Sequence, residues 1–579
     1  MSSHTSSGKG DRDASANQVI IGIDFGTTFS GVAYTYSNKI DRMEIITSWD
    51  SDLHSNSDEE KAPTAISYGP QNELVWGYAI PSEKEQLKWF KLLLLDSEDL
   101  PDDIRDSNKL KEARLYLEKH NKTAEEAISV FLRHLWNHSI QRITETIGRN
   151  MMNYSSFHVV MTLPAIWPSY AQNRMREAAR AAGILGKRIA GETQLTFVSE
   201  PEAAALATLE EMEDRFDVKA GDTFVVADCG GGTSDLISYQ CTSTNPLIIK
   251  ECVKGTGGLC GAVFVDEAFS ELLKSKFPKK KWEAMEAISR YRLLHDEWET
   301  GIKQQFDMNR ASRGWSINMP WECMTAKERR GSAASTPKLE ITGKEVKGVF
   351  DPIIEKITNL IDGQIIAVKK KTGANPKVYV VMVGGFGRCR YLFQMVKDNF
   401  GDDIEILQSR GAAPWTAICR GAVIHAATMQ GLGKLSVQIR TRIARASYGV
   451  CLRPVWDASK HLWSDKEWDD ISQLHRAKNQ MFWLLREGDD TSAKEPIIET
   501  VVHHYDTSET TVTKLCSVKW ETAIVVPSLP LYTNPLGKIY HKLNYEYHMT
   551  CAGESVDFAI YHNGKRQGSK NVSIDYSTD

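Results

Sequence analysis

The sequence predicts an α/β protein built from two related lobes and followed by a smaller β-rich domain, and three observations carry that expectation. Short apolar runs that end in Asp and a glycine turn recur, first as VIIGIDFG from Val19 and again as TFVVADCGGG after Asp222. Amphipathic helical sequence lies between them, as in TAEEAISVFLRHLWNHSIQRITETI, where apolar residues return every three or four positions. Beyond about Gly433 the pattern shifts to segments such as SVQIRTRIARASYGVCL and SVDFAIYHNGKRQ, whose alternation and Asn563-Gly564 turn signal read as β hairpins.

Taken in order, residues 1–18 are polar with no apolar run and read as a disordered tail. Val19 opens a strand, Gly26 turns the chain, and SGVAYTYS returns as a second strand. From Ser82 to Ile147 the sequence is charged and helical. FHVVMTLPAIW is a strand interrupted at Pro164, and SYAQNRMREAARAAG is a helix ended by Gly183, which completes a first lobe over 19–215. The same strand, glycine turn and strand begin again after Asp222, with Asp228 standing 204 positions beyond Asp24. Helical sequence from Val265 to Phe306 follows, and Trp282, Trp298, Trp315 and Trp321 are expected to pack inside this second lobe of 216–404. A Ser-rich stretch near Arg329 to Pro337 reads as a loop, and VYVVMVGGFGRCRYLFQMV as a third strand, glycine turn and helix. WTAICRGAVIHAA is a closing helix within 405–432 that belongs with the first lobe, leaving 433–579 as the β-rich domain.

Composition excludes several classes. Seventy basic against 75 acidic side chains give a net charge of −5, which attracts neither nucleic acid nor a membrane surface. No run approaches the roughly 20 apolar residues of a membrane span. Ten scattered cysteines with no CxxC pair lack the spacing of zinc-ribbon or thioredoxin chemistry, and no disulfide partner is expected. Adjacent His503 and His504 point to opposite faces of a strand and make no metal pair.

The glycine turns point to phosphate. Glycine lets the backbone come close to a ligand and aim its amides inward. Gly26 is followed by Thr27 and Thr28, while Gly230, Gly231 and Gly232 are followed by Thr233. Asp24 and Asp228 each stand two positions before a turn glycine, and paired acids beside a polyphosphate hold magnesium, usually through its waters. Ordinary hairpin turns need Gly but not the repeated Asp and Thr. The sequence contains no GxxxxGK[ST], no GxGxxG opening a helix after Val19 and no HExxH, so a P-loop, a dinucleotide fold and a zincin are not indicated.

DFGTTFSGVAY, TLPAIW, SEPEAAALATL, DCGGGTSDL and VGGFGRCRYL stand in the order found in the seventy-kilodalton heat-shock proteins, and from about Val19 to Ala427 the chain resembles that family. Its Trp enrichment and atypical C-terminal part are similar to the divergent branch formed by the twelfth human subfamily and its fungal relatives. The resemblance implies an actin-like (ribonuclease H-like), duplicated two-lobe ATPase domain that holds ATP or ADP with Mg2+ between its lobes. It implies that Gly26, Thr27 and Thr28 form the first phosphate loop, with Asp24 facing magnesium and its waters. Asp228 is then the second magnesium carboxylate, Gly230, Gly231 and Gly232 the second phosphate loop, and Thr233 the hydroxyl near the terminal phosphate. Asp235 is a further acid, and either it or Asp228 orients the attacking water; Glu200 completes the magnesium environment. Gly257 and Gly258 match second-lobe glycines, and Gly384, Gly385 and Arg388 the adenosine motif. Lys91 stands where the family has a lysine reaching the terminal phosphate, or is a solvated residue on an amphipathic helix. Glu299 and Lys303 match adenine and ribose contacts, or form an ordinary i, i+4 surface bridge.

The chain also departs from the chaperone pattern. Phe386 and Gly387 replace a small polar pair, Trp415 stands where an acid is common, and GLGKLSVQIRTR is basic where an apolar interdomain linker is usual. The β-rich part reads either as a shortened, lidless relative of the chaperone's substrate sandwich or as an unrelated β-sandwich. These features together lead to the expectation of a cytoplasmic or nuclear, slowly hydrolysing ATPase coupled to a protein client or regulatory partner. A non-hydrolysing nucleotide-sensing scaffold and a small-molecule kinase are the alternatives.

Overall fold

The run QVIIGIDF is apolar on both sides of its pleat, so the strand it forms can be central in a sheet covered on both faces. That is where the computed structural model, which describes residues 18–491 and 526–573 except 52–58, 70–72, 82, 101, 166, 212–216, 326–328, 330–336, 373–375, 402–403, 410, 412, 433–436, 445–446, 487, 553–554 and 563, places it. The tail before Gln18, most of the Ser-rich stretch, the Gly433 junction, His503-His504 and the terminal DYSTD lie outside the described residues.

The first sheet contains β1 (Gln18–Phe25), β2 (Phe29–Tyr36), β3 (Glu44–Ile45) and β4 (Lys61–Pro63), while β5 (Ile66–Tyr68) and β6 (Leu74–Trp76) form a separate ribbon. β7 (Ser156–Leu163) and β8 (Gln194–Ser199) complete it in the order β3-β2-β1-β7-β8, with β4 beside β2. The second sheet uses β9 (Thr223–Cys229), β10 (Ser234–Thr244) and β11 (Leu247–Gly258). A ribbon of β12 (Gly314–Asn318) and β13 (Lys338–Thr342) precedes β14 (Val378–Val383) and β15 (Ile404–Gln408), which join the second sheet so that five of its seven strands run β11-β10-β9-β14-β15. Each sheet therefore has an antiparallel hairpin carrying a glycine turn, flanked on the first strand's free side by a parallel pair.

Two helices, Glu200–Glu211 and Ala413–Met429, share one core with strand residues from both sheets, including Ile20, Val160, Val226 and Val381. Small residues let them approach: a Cβ built on Gly421 would lie 1.7 Å from the Ala203 carbonyl oxygen. A second core in the β9–β15 half gathers Trp298, stacked on Phe269 with ring centroids 3.9 Å apart, and Trp282. Trp315 is half-buried against Phe306, whereas Trp321 is 56% exposed and corrects the expectation that all four tryptophans pack inside. Its place in a short 3-10 turn after Pro320 lifts it off the core.

The helical stretch expected from Ser82 is also shorter than its composition indicates. Trp89 adopts φ 66°, which starts a 3-10 turn at Phe90–Leu94 instead of an α-helix. Regular helix of length begins at Asn108–Lys119, where the Ser107 hydroxyl accepts from the Leu110 amide. The long helix Ala124–Ile147 follows, closed at its start by a Thr123/Glu126 capping box.

Contacts divide the chain after Ile439 into two compact units. In the described part of the second unit, Tyr448–Leu452 pairs antiparallel with Gln480–Leu485, and between them Lys466–Asp469 and Leu474–Ala477 form a hairpin. Glu546–Ala552, Ser555–His562 and Lys565–Ser573 form a three-stranded meander.

Candidate functional site

The turn after β1 and the turn after β9 meet face to face. A Cβ on Gly231 would fall 2.0 Å from the Thr28 hydroxyl oxygen, and one on Gly232 would lie 3.3 Å from the Thr27 methyl, so only glycine lets the two turns come this close. The third turn seats on them. Gly384 takes φ +83°, and a Cβ there would lie 2.4 Å from Asp228 Oδ1. Three separated sequence motifs thus converge on Asp228.

Four carboxylates are buried around that point: Asp24, Glu200, Asp228 and Asp235. Asp228 and Asp235 are direct cross-strand partners in the β9–β10 hairpin, which puts both on one face of the sheet. Gly257 stands opposite Asp235 on β11, and a Cβ there would lie 2.6 Å from Asp235 Oδ1. The glycine makes room for the acid. Asp228 Oδ1 and Asp235 Oδ1 have no hydrogen-bond partner. Burial, reinforced by Glu200, Asp235 and Asp24, pushes the Asp228 carboxyl well above its ordinary range. Burial and Glu200 push Asp235 up to about 7 against a Thr233 hydrogen bond that favours its ionised form.

Two lysines answer the other two acids. Lys91 Nζ donates to Glu200 Oε1 at 2.5 Å and is itself almost wholly buried. The alternative of a solvated helix lysine is thereby overturned: Lys91 lies in the 3-10 turn and points inward. Burial still raises the Glu200 carboxyl, with Lys91 opposing and Asp24 adding to the rise. Lys61 Nζ donates to Asp24 Oδ2 at 2.5 Å. Burial is the largest influence and works to strip its proton, but Asp24, Cys419 and Asp228 together outweigh it, and the ammonium is held above its ordinary value.

Lys61 was not legible as a site residue. A lone Lys in KAPTAISY carries no local signal, and its role comes from register: it pairs with Gly31, which pairs in turn with Asp24. The unpaired oxygens of Asp228 and Asp235 fit a divalent cation beside phosphate. Among the described residues no group of three His, Cys, Asp or Glu closes around a point as a metal site. A magnesium ion here would take one or two carboxylates and complete its shell with phosphate oxygens and water.

The remaining candidates are spread around this centre. Gly258 meets Leu360, a packing contact. Glu299 and Lys303 do form the i, i+4 ion pair at 2.7 Å, but Lys303 also pairs with Asp266 at 2.7 Å, and Asp266 accepts from the Trp298 indole. Burial, with Glu299 adding and Lys303 opposing, lifts Asp266 to about 6. Phe386 is buried against Phe350, so that departure from the small polar pair serves the core. Trp415 lies against Gly385, where a Cβ would sit 2.2 Å from the indole, and its ring edges onto Phe29, the first residue of β2 after the first turn. Arg388 is exposed, with its guanidinium 5.9 Å from the Trp415 ring.

A family model described as Hsp70 protein matches residues 97–453, more than half of the chain. The chain belongs to the Hsp70 family. Membership implies the two-lobe, actin-like ATPase fold, and the structure has the mixed α/β character and repeated sheet order that such a fold requires. Asp24 to Thr28, Lys61 and Lys91 precede the matched stretch. A domain of unknown function matches residues 442–530. Mouse heat shock 70 kDa protein 12A is 24% identical over 76% of this chain and 73% of its own length. Human heat shock 70 kDa protein 12B is 27% identical over 75% and 71%. The chaperone protein DnaK of Thermus thermophilus is 27% identical over 53% of this chain and 44% of that protein. Among the described residues no helix is long and apolar enough to cross a membrane, and no disulfide joins Cys229, Cys241, Cys252, Cys260, Cys323, Cys389, Cys419 or Cys451.

Proposed function

We propose that this Hsp70-family chain binds Mg-ATP between its two lobes, hydrolyses it slowly, and couples nucleotide state to binding of a protein client. The observation that carries the reading is the convergence of three glycine turns on Asp228 and Asp235, two buried acids that each keep one oxygen free.

In this reading the amides of Gly26–Thr28 and Gly230–Gly232 hold the phosphates, and Thr233 stands by the terminal one. Asp24, Asp228 and Glu200 provide the metal's surroundings, largely through water; magnesium, when bound, neutralises charge on the β- and γ-phosphate oxygens. Lys91, anchored by Glu200, presents an ammonium to the same phosphates. Asp235, held near neutrality by burial and Glu200, is poised to orient the attacking water and take its proton. Gly384, Gly385 and Arg388 frame the base and ribose, with Trp415 closing one side. Glu299 and Lys303 join them by releasing Lys303 from Asp266. The client would be met by the β-rich strands beyond residue 439.

Calorimetric titration with Mg-ATP and Mg-ADP, beside single-turnover hydrolysis, tests the reading with Asp228→Asn as control. The expected result is binding of both nucleotides and turnover that the variant loses. Binding without turnover in the native chain would favour a nucleotide-sensing scaffold, the reading that the Lys61 ammonium on Asp24 supports, and no binding would sink the proposal.

A further inference from the structure

The two sheets carry corresponding three-residue rows, each with one glycine and two charged side chains, that differ in net charge. In the second sheet the row across β9, β10 and β11 is Asp228, Asp235, Gly257. In the first sheet the row across β1, β2 and β4 is Asp24, Gly31, Lys61. Each row has one glycine that makes room for a charged neighbour: Gly257 for the Asp235 carboxylate, and Gly31 for the Lys61 stem, since a Cβ on Gly31 would fall 2.8 Å from Lys61 Cγ. One row sets its second charge, an acid, on the middle strand beside an outer glycine; the other sets its second charge, an ammonium, on the outer strand beside a middle glycine. That ammonium is enclosed: Lys61 is 5% exposed, hydrogen-bonded to Asp24, and covered by the Trp415 ring with its centroid 4.5 Å from Nζ. The same Trp415 contacts Phe29, just after the first turn, and Gly385 in the third.

We propose that Lys61 is a resident cation of the nucleotide site, supplying at Asp24 part of the positive charge that a divalent ion would otherwise bring, so that the chain holds a nucleoside polyphosphate without divalent metal. The inference rests on the nucleotide reading above and deepens it. Three features support it. Lys61 and Lys91 place two buried ammoniums among four buried acids. One oxygen of Asp24, Oδ2, is already engaged by the Lys61 ammonium. The Trp415 ring that covers Lys61 also meets Phe29 and Gly385, so the ammonium is held where the first and third turns approach each other.

The test is equilibrium titration of the full chain with ATP and ADP, in magnesium and in EDTA, for the native protein, Lys61→Met and the double variant Asp24→Asn/Lys61→Met. The native chain is expected to bind in EDTA within about threefold of its affinity in magnesium, and Lys61→Met to lose roughly tenfold or more in EDTA alone. Removing Lys61 by itself leaves a buried, uncompensated Asp24. The double variant removes both charges and is expected to keep the fold, checked by its far-UV circular dichroism, and to lose the metal-free binding as well. Strictly magnesium-dependent binding in the native chain overturns the inference while leaving the nucleotide reading intact. Tighter Mg-ATP binding by a folded Lys61→Met that still needs the metal also overturns it, because the lysine would then be a plug. No binding by the native chain in either condition removes the nucleotide reading and this inference together.

Discussion

Asp235 shows how one side chain ties stability to chemistry. Its carboxyl is raised from the ordinary 3.8 to about 7 by burial and by Glu200, so between those values the folded chain holds a proton that the unfolded chain has released. Stability is therefore fully present below about pH 4 and falls as pH rises toward 7, after which the loss is complete. Asp235→Asn removes that slope. Urea titrations of the two proteins from pH 4 to pH 8 without divalent cation are expected to coincide at the acid end and to separate in the variant's favour by on the order of 2–4 kcal/mol at pH 8. Equal stability at both ends would mean that Asp235 ionises freely. Of the residues around it, Asp24, Asp228, Glu200 and Thr233 were legible because each sits within a motif whose neighbours announce it. Lys61 was not, because its partner lies 37 positions away and only strand register connects them. Lys91 fell between two readings, since leucine-rich WFKLLLL reads as helix while the left-handed Trp89 just before it redirects the chain.

At the level of elements, the glycine turns are positioned by the strands that feed them and shaped by one another. Thr28 fills the place where any side chain at position 231 would go. Gly231→Ala is thus expected to push the first turn away from the second while leaving every strand pair intact. The far-UV circular dichroism should stay unchanged and Mg-ATP affinity should fall by roughly tenfold or more. An alanine variant that binds as tightly as the native chain would show that the turns do not act together. Strand, turn and strand could be read at β1–β2 and β9–β10 because buried strands are continuous apolar runs and turns demand Gly. The helix boundaries before Asn108 were less readable, because composition alone does not separate a 3-10 turn from an α-helix. The π-helical stretch Arg292–Ile302 was hidden for the same reason: its amphipathic residues suit either winding.

Across the whole molecule, the repeat of strand order in two sheets explains why two Asp residues 204 positions apart end beside one another. The sequence carried that duplication through its repeated grammar, but not the different charge patterns of the two rows, which need the third strand of each row to be known. What joins the halves is a shared core on the helices Glu200–Glu211 and Ala413–Met429. The first of these begins with Glu200 itself, so the packing of small residues along it fixes where a site carboxylate stands. With the Ala203 carbonyl 1.7 Å from the place of any Cβ at position 421, the backbone of one helix occupies the volume that heredity would have to vary in the other. Gly421→Ala is expected to cost several kcal/mol, on the scale of forced overpacking in a close-packed interior, measured as a fall in the midpoint of chemical unfolding. In a library randomised at that codon and screened for folded protein, glycine should be the sole survivor, which makes position 421 a place where the lineage has no freedom to drift even if every ligand were lost.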